Sequence, residues 1–371
     1  MTNYDYLIVG AGLYGATFAR KIAEAGKTCL VIDKRNEVGG NCHDYVKHGI
    51  HVHKHGAHIF HTSNEKVWNF ANQFSKFRQF QNNVKAKSYG KLYSLPFNMN
   101  TFYELYGVTE PLVAEQLIKN EVALFAVDKP KNLEEQALSL VGRKIYETLI
   151  RDYTEKQWGK SCKELSSDII KRLPLRFTYD NNYFNDIYQG LPENGYTALI
   201  NNMLTHNNIV VQLGIDFSTK KHINQFAKKI VYSGQIDRFF DYCYGRLEWR
   251  TLKFEVQTYE TENYQGCAVM NYCDKSKPFT RVIEHKHFLK EKSDVSIVTT
   301  EFPKTYEDGD EPYYPLLDDR NKKLYDKYAS LAKITYPNVI FGGRLGTYQY
   351  LDMDKVILQA MNDVELELSH E

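Results

Sequence analysis

Apolar residues cluster in short solid runs near both ends of the chain and recur at helical spacing through its middle. Tyr4-Asp5-Tyr6-Leu7-Ile8-Val9 reads as a strand that runs into the turn Gly10 to Gly15, followed by a helical stretch to Gly26 and a second strand, Thr28 to Ile32, ending on Asp33. From Thr62 to about Ile170 the period becomes helical. Thr62 with Glu65, Thr101 with Glu104, Asn132 with Glu135 and Thr154 with Gln157 each have capping-box spacing, so they predict helix starts, and Gly107 and Gly142 predict stops. Val67, Phe70, Ala71 and Phe74 mark one apolar helix face.

Beyond Leu191 the pattern returns to a turn, a helix through Leu204 and strands at Ile209 to Leu213 and Lys229 to Ser233. From Phe239 to Thr300 β-branched and aromatic residues alternate, as in Leu252 to Val256 and Val295 to Val298, which predicts a mostly antiparallel sheet. Asn338 to Phe341 reads as a buried strand and Gly342-Gly343-Arg344 as a turn. Asp352 caps a final helix whose Val356, Ile357, Ala360, Met361 and Val364 share a face, so that a second helix N-terminus can face a cofactor. The expected class is α/β with mixed α+β character. A Rossmann-like cofactor domain is split over residues 1–64, 190–238 and 330–371. A helical domain takes 65–170, with a mobile loop near 165–177, and an antiparallel sheet domain takes 178–189 and 239–329.

The first turn carries the chemistry. In Gly10-x-Gly12-x-x-Gly15, the first glycine permits a tight turn, the second lets backbone approach a pyrophosphate, and the third allows close helix–strand packing. Asp33, 18 residues past Gly15, is placed to accept from a ribose and disfavours a 2′-phosphate. Gly39-Gly40-Asn41 then completes a D-x5-GG pattern that resembles the FAD-binding oxidase and reductase superfamily more than nicotinamide dehydrogenases, so FAD is the expected cofactor.

Composition narrows the partners. At 371 residues the chain suits two or three domains. Lys plus Arg (47) nearly balances Asp plus Glu (46), so no bulk field draws it to nucleic acid or anionic lipid. No apolar run approaches the ~18 residues of a membrane span, and the N-terminus lacks a leader pattern. Six cysteines without a CxxC pair fit reduced thiols, and the expected location is the cytoplasm. Tyrosine is abundant, at 28 copies, but AT-rich codon usage gives the same bias, so only placed tyrosines count.

His51, His53 and His55 alternate as a row of metal ligands would, but no cysteine or acidic cluster completes a site, and no metal is expected. Gly56-Ala57-His58-Ile59-Phe60-His61 instead carries histidines inward. Tyr153 and Trp158 in Tyr153-Thr154-Glu155-Lys156-Gln157-Trp158-Gly159 either border a pyrimidine or anchor a helix, and composition alone favours the anchor. Arg172 before Leu173-Pro174 and Arg281 after Pro278-Phe279-Thr280 become candidates if the ligand is a diphosphate, because guanidinium forks pair well with phosphate. No serine triad or carboxylate pair stands out, which leaves the chemistry to the cofactor.

Together, Gly10 to Gly15, Gly56 to Thr62, Leu95-Pro96-Phe97-Asn98-Met99-Asn100, Tyr153 to Gly159, Asp180 to Phe184, Ile283 to Phe288, Gly309 to Pro315 and Phe341 to Arg344 resemble the bacterial UDP-galactopyranose mutases, in order along nearly the whole chain. Amine oxidases share the first and last motifs but not those between. The resemblance implies a flavoprotein isomerase that interconverts UDP-galactopyranose and UDP-galactofuranose for cell-surface polysaccharide. It also implies reduced FAD, a covalent flavin N5–sugar adduct, no net redox change and a homodimer. Carried over residue by residue, Arg172, Arg281 and His61 are catalytic. Asn82, Tyr153, Thr154, Trp158, Tyr183, Asn271, Tyr313, Tyr314 and Tyr350 bind substrate. Gly10, Gly12, Tyr14, Gly15, Asp33, Lys34, Gly40, Asn41, His58, Arg344, Leu351, Asp352 and Met353 hold the cofactor. Asp33 departs from the Glu of many relatives, and the residues after Gly39-Gly40 vary. The competing class is a flavin amine oxidase-like oxidoreductase, and a third is a flavin-fold binding protein without catalysis.

Overall fold

The structure is a computed structural model that describes residues 4–170, 174–218 and 227–369. Among these, the first sheet has five parallel strands in the order Ile209–Leu213, Cys29–Asp33, Tyr4–Val9, Ala227–Tyr232 and Val339–Phe341. Every residue of Cys29–Asp33 is buried, as expected of a central strand covered on both faces. The helices Gly195–Leu204 and Met353–Ser369 both pack against Leu13–Glu24, and the apolar faces of the three join the strands in one continuous core. Leu7, Leu30, Ile32, Phe217, Ile230 and Tyr232 form a second cluster. The strands of this sheet come from three separated stretches, residues 4–33, 209–232 and 339–341.

A second sheet of seven strands is ordered Tyr314–Pro315, Trp249–Tyr259, Ser296–Thr305, Arg281–Glu284, Val269–Tyr272, Lys85–Ser88 and Lys91–Ser94. Two assignments differ from expectation. Residues 85–94, placed by their position in the helical domain, instead extend this sheet, with Lys85–Ser88 pairing parallel to Val269–Tyr272. Tyr188–Pro192, reached by the expected sheet segment 178–189, pairs with Phe60–Thr62 and Phe77–Gln79 in a separate small sheet. Strand pairing is decided by partners remote in sequence, which a local period does not report.

The helical unit runs through Met99–Tyr106, Pro111–Ala123, Leu133–Ile145 and Arg151–Trp158, the last entered through a π turn at Tyr146–Ile150. Asn132 caps its helix as predicted, accepting from Glu135 N–H. The other three boxes are misplaced. Asn64, not Thr62, caps Glu65–Asn72: Thr62 Oγ1 accepts instead from Asn64 N–H (3.0 Å) and donates to the buried Asp354 (3.0 Å). Asn98 caps the next helix with Thr101 as its reciprocal partner, leaving Glu104 to bind Ser94. Thr154 lies inside a helix already running. Gly107 ends its helix in the left-handed region, whereas Gly142 (φ 78°) kinks one.

Candidate active site

The glycine turn is a cradle of bare backbone. A Cβ on Gly10 would stand 2.1 Å from Ser233 Oγ, and one on Gly15 only 1.9 Å from the Gly10 carbonyl. Gly39 N–H donates to Ala11 O (2.9 Å) and a Cβ on Gly40 would come 3.0 Å from Gly12 Cα, so the second glycine pair forms the opposite wall. The helix Leu13–Glu24 starts at Gly12 without a side-chain cap or an acid in its first turn, leaving its N–H groups free for an anion. Asp33 at the end of the second strand accepts from Ala11 N–H (2.8 Å) and Arg35 N–H (2.9 Å). Each carboxylate oxygen keeps a lone pair for a ribose hydroxyl.

Of the predicted cofactor residues, all but Gly15 and Asp352 line one cleft. Gly15 lies beneath it, packed on Gly10. Asp352 is exposed, while Leu351 and Met353 on either side of it line the cleft, because the chain turns there into the last helix. Lys34 and Arg35 both pair with Glu311 at 2.9 Å, and Asn41 accepts from Arg35. Asp33, His58 and Met353 all line this cleft. A floor without side chains, an uncapped helix N-terminus and a carboxylate at the strand end fit a flavin dinucleotide.

At the far end, His58 Nδ1 bonds Gly56 O (2.9 Å), and burial lowers its pKa to about 3, so it stays neutral. Arg344 Nε donates to Leu351 O, and its guanidinium lies over the Tyr350 ring at 4.5 Å. Tyr350 stacks on Tyr314 at 5.8 Å, and Tyr314 stands 6.3 Å from Trp158. This file of rings joins the cleft to the helix that bears Tyr153, Thr154 and Trp158.

Arg281 is the centre of the second half. It sits on the strand Arg281–Glu284 opposite Asn271, with Nε 3.4 Å from Asn271 Oδ1, Nη2 3.3 Å from Tyr153 OH and Nη1 3.5 Å from Glu301 Oε2. Burial works against its charge, but Tyr153, Glu301 and Tyr314 outweigh that and raise its pKa. Its side chain is 28% exposed, so one side of the cation stays open. Burial pushes Glu301 upward, and the Arg281 charge and the Ala57 N–H oppose it. Tyr183 N–H donates to Asn82 O (3.0 Å), and Tyr183 also lies within electrostatic reach of Arg281. Thr154 is buried on the same helix as Tyr153.

Two predicted residues are engaged elsewhere. Tyr313, just before the strand Tyr314–Pro315, is buried, because His55 Nδ1 claims its hydroxyl at 2.7 Å and Phe254 packs on its ring at 5.7 Å. His61 bonds Asp186 at 2.7 Å and stacks on Phe184 at 3.8 Å, outside the cleft that His58 lines. Arg172 lies outside the described residues. The alternating histidines disperse: His51 pairs with Glu291, and His53 stacks on Phe288 at 4.7 Å. Among the described residues, no group of His, Cys, Asp or Glu is arranged to hold a metal. Glu301 escaped the sequence reading. Its signal was a lone acid in the apolar run ending Ser296–Thr305.

A glycine-floored dinucleotide cleft joined by stacked rings to a fixed, half-open arginine defines a cofactor-dependent enzyme for an anionic substrate. The family model described as UDP-galactopyranose mutase matches residues 148–350, and one for NAD(P)-binding Rossmann-like domains matches 8–74. The chain is 43% identical over 373 residues to a probable UDP-galactopyranose mutase of Klebsiella pneumoniae, covering 100% of this chain and 96% of the relative. It is 42% identical over 368 residues to a dTDP-fucopyranose mutase of Escherichia coli, covering 97% of each. A crystal structure of reduced UDP-galactopyranose mutase superimposes with a TM-score of 0.75 at 13% identity, over 100% of this chain and 95% of that one, which supports the fold. The chain belongs to the UDP-galactopyranose mutase family. Among the described residues, no helix is long and apolar enough to cross a membrane.

Proposed function

We propose that this chain interconverts UDP-galactopyranose and UDP-galactofuranose on reduced FAD, with no net redox change, as a cytoplasmic homodimer supplying furanose for cell-surface polysaccharide. The observation that carries the reading is Arg281, kept cationic and half open between Tyr153, Asn271 and Glu301, in a chain similar to mutases over its whole length. When bound and reduced, the flavin would supply through N5 the nucleophile that the side chains lack.

The residues divide the remaining work. Arg281, with Arg172, would neutralise the diphosphate as it departs and returns, a charge-assisted contact worth most where water is excluded. Tyr153, Thr154 and Trp158 would border the uracil, with Asn82 and Tyr183 beside them. Asn271, Tyr314 and Tyr350 would hold the sugar. Burial pushes the Tyr314 hydroxyl up and raises Tyr153 to about 12, so both remain donors at neutral pH. His58, neutral and with Nδ1 committed to Gly56 O, keeps Nε2 as an acceptor in the cleft.

A second reading rests on the Escherichia coli relative, whose identity is nearly as high. A dTDP-fucose substrate would add a methyl to the base and remove the ribose 2′-OH and the sugar 6-OH. The test is incubation with UDP-galactofuranose or dTDP-fucofuranose, with and without dithionite, followed by chromatography of the products. Pyranose from UDP-galactofuranose under reducing conditions is the expected result. Turnover of the dTDP sugar alone would move the assignment to the second reading. No pyranose from either, with oxygen consumed by the oxidised protein, would point to an oxidase.

A further inference from the structure

Lys156 has an unusual environment for a lysine between two aromatic ligand candidates. It lies on the helix Arg151–Trp158, and its ammonium meets four backbone carbonyls: Tyr272 and Asp274 at 2.8 Å, Phe279 at 2.9 Å and Lys277 at 3.2 Å. No carboxylate supplies these contacts. All four carbonyls belong to the end and loop of one hairpin, which joins the strands Val269–Tyr272 and Arg281–Glu284. The loop has curled its carbonyls inward around a single cation, as a backbone cage does around a metal ion.

The hairpin is the piece that presents the substrate side of the site. Asn271 and Arg281 are cross-strand partners at its loop end, and Arg281 reaches across to Tyr153 on the Lys156 helix at 3.3 Å. That contact is long, as is Arg281 to Asn271 at 3.4 Å, so neither fixes the register of hairpin against helix. Lys275 bridges to Glu155 at 3.0 Å, but its side chain is 61% exposed, and such a pair contributes little. Tyr89 N–H bonds Asp274 at 2.7 Å while its hydroxyl bonds Asp152 at 3.0 Å, so it links loop and helix only indirectly, through an exposed residue of the sheet edge. Thr280 Oγ1 meets Gln157 Oε1 at 3.5 Å and Lys275 meets Asp152 at 3.8 Å, both at the limit of contact, whereas the Lys156 ammonium shares its three donors among four hairpin carbonyls in half-buried, charge-assisted hydrogen bonds. The helix end is itself held, with Arg250 Nε on Gln157 O at 3.0 Å, so the lysine works from a firm base.

We infer that Lys156 is a positioning residue: it pins the hairpin bearing Asn271 and Arg281 to the helix bearing Tyr153 and Trp158, and so sets the distance between the nucleoside and diphosphate subsites. The inference rests on the proposed mutase reading for the identity of those subsites. Lysine suits the role because its three donors rotate about one compact charge and can serve carbonyls that converge from different directions. The planar fork of arginine cannot.

The test is a double-mutant cycle on the FAD-loaded protein, with Lys156→Met, Arg281→Ala and the pair. UDP affinity of the oxidised enzyme and kcat/KM of the reduced enzyme with UDP-galactofuranose are the readouts. Lys156→Met is expected to retain FAD and to lose about 100-fold in kcat/KM, the scale of a misplacement of about 1 Å. In the Arg281→Ala background the same change should weaken UDP binding by less than about threefold, because the residue it positions is gone. Lys156→Arg, which keeps the charge, should lose less than Lys156→Met. Equal losses of UDP affinity in both backgrounds would overturn the inference, and so would wild-type activity in an FAD-replete Lys156→Met. Loss of FAD from both the Met and Arg variants would also overturn it, by showing that the lysine supports the fold at large. A wild-type enzyme inert toward UDP-galactofuranose would remove the underlying reading, whereas an active wild type matched by Lys156→Met sinks the positioning role alone.

Discussion

The dinucleotide cleft and the centre around Arg281 are built by opposite means. The first is made of backbone: glycines at 10, 12, 39 and 40 leave bare Cα atoms along the cleft, and one carboxylate, Asp33, is held by two N–H bonds. The second is made of side chains from five separate stretches, gathered around one guanidinium. Backbone cradles tolerate no added atom but make few distinctions among ligands. Side-chain centres bend under substitution and carry the selectivity.

The sharpest way to break that contrast is Gly15→Val. Its Cβ would fall 1.9 Å from a carbonyl, so the protein should be recovered without flavin or not folded at all, read from the flavin absorbance of the purified protein. Flavin at wild-type stoichiometry would disprove the cradle. Next is Arg281→Ala, expected to retain FAD while losing about 100- to 1000-fold in kcat. Full turnover would remove the diphosphate role.

The framework under the second centre should titrate. Burial raises the Glu284 carboxyl, but His287, the N–H groups of Tyr264 and Gln265 and the Ser296 hydroxyl outweigh it and hold its pKa at about 2. A folded pKa below the unfolded one contributes stability that is complete above about pH 4.5 and is lost as pH falls toward 2. Glu284→Gln should therefore lower stability at pH 7 by about 2–3 kcal/mol and flatten the acid limb, as followed by thermal midpoints between pH 7 and 3. An unchanged acid limb would discard this account. The smallest effect belongs to Tyr153→Phe, which removes a hydroxyl 3.3 Å from Arg281 and should cost only a few-fold in kcat/KM.

The same contrast explains what the sequence discloses. Gly10 to Asp33 is contiguous, its period switches from strand to helix to strand, and its glycines have one physical use, so the cleft is legible from a short stretch. Asn132 caps its helix as read, because cap and box are local. Thr62 is not the cap because its oxygen accepts from Asn64 N–H, held in place by a bond to Asp354 from the opposite end of the chain. The surroundings of His61 and Tyr313 are not legible for a related reason: Asp186 and His55 bond their polar atoms, and nothing in the neighbouring residues announces those partners. Glu301 and Lys156 were overlooked because their roles exist only once sheet and helix are apposed. The resemblance to a family supplied Arg281, Asn271 and Tyr350, which no local pattern separates from surface residues.

The parallel pairing of Lys85–Ser88 with Val269–Tyr272 bears on how the chain reaches its form during synthesis. At ribosomal speed the later strand emerges on the order of 10 to 40 seconds after the earlier one. Throughout that interval the Lys85–Ser88 edge of the hairpin lacks its partner, and the helix Arg151–Trp158 lacks the strand Ser296–Thr305 on which it packs. The nascent chain therefore carries a half-finished seam, and chaperone capture or misassembly would be concentrated there rather than at the early-forming glycine turn.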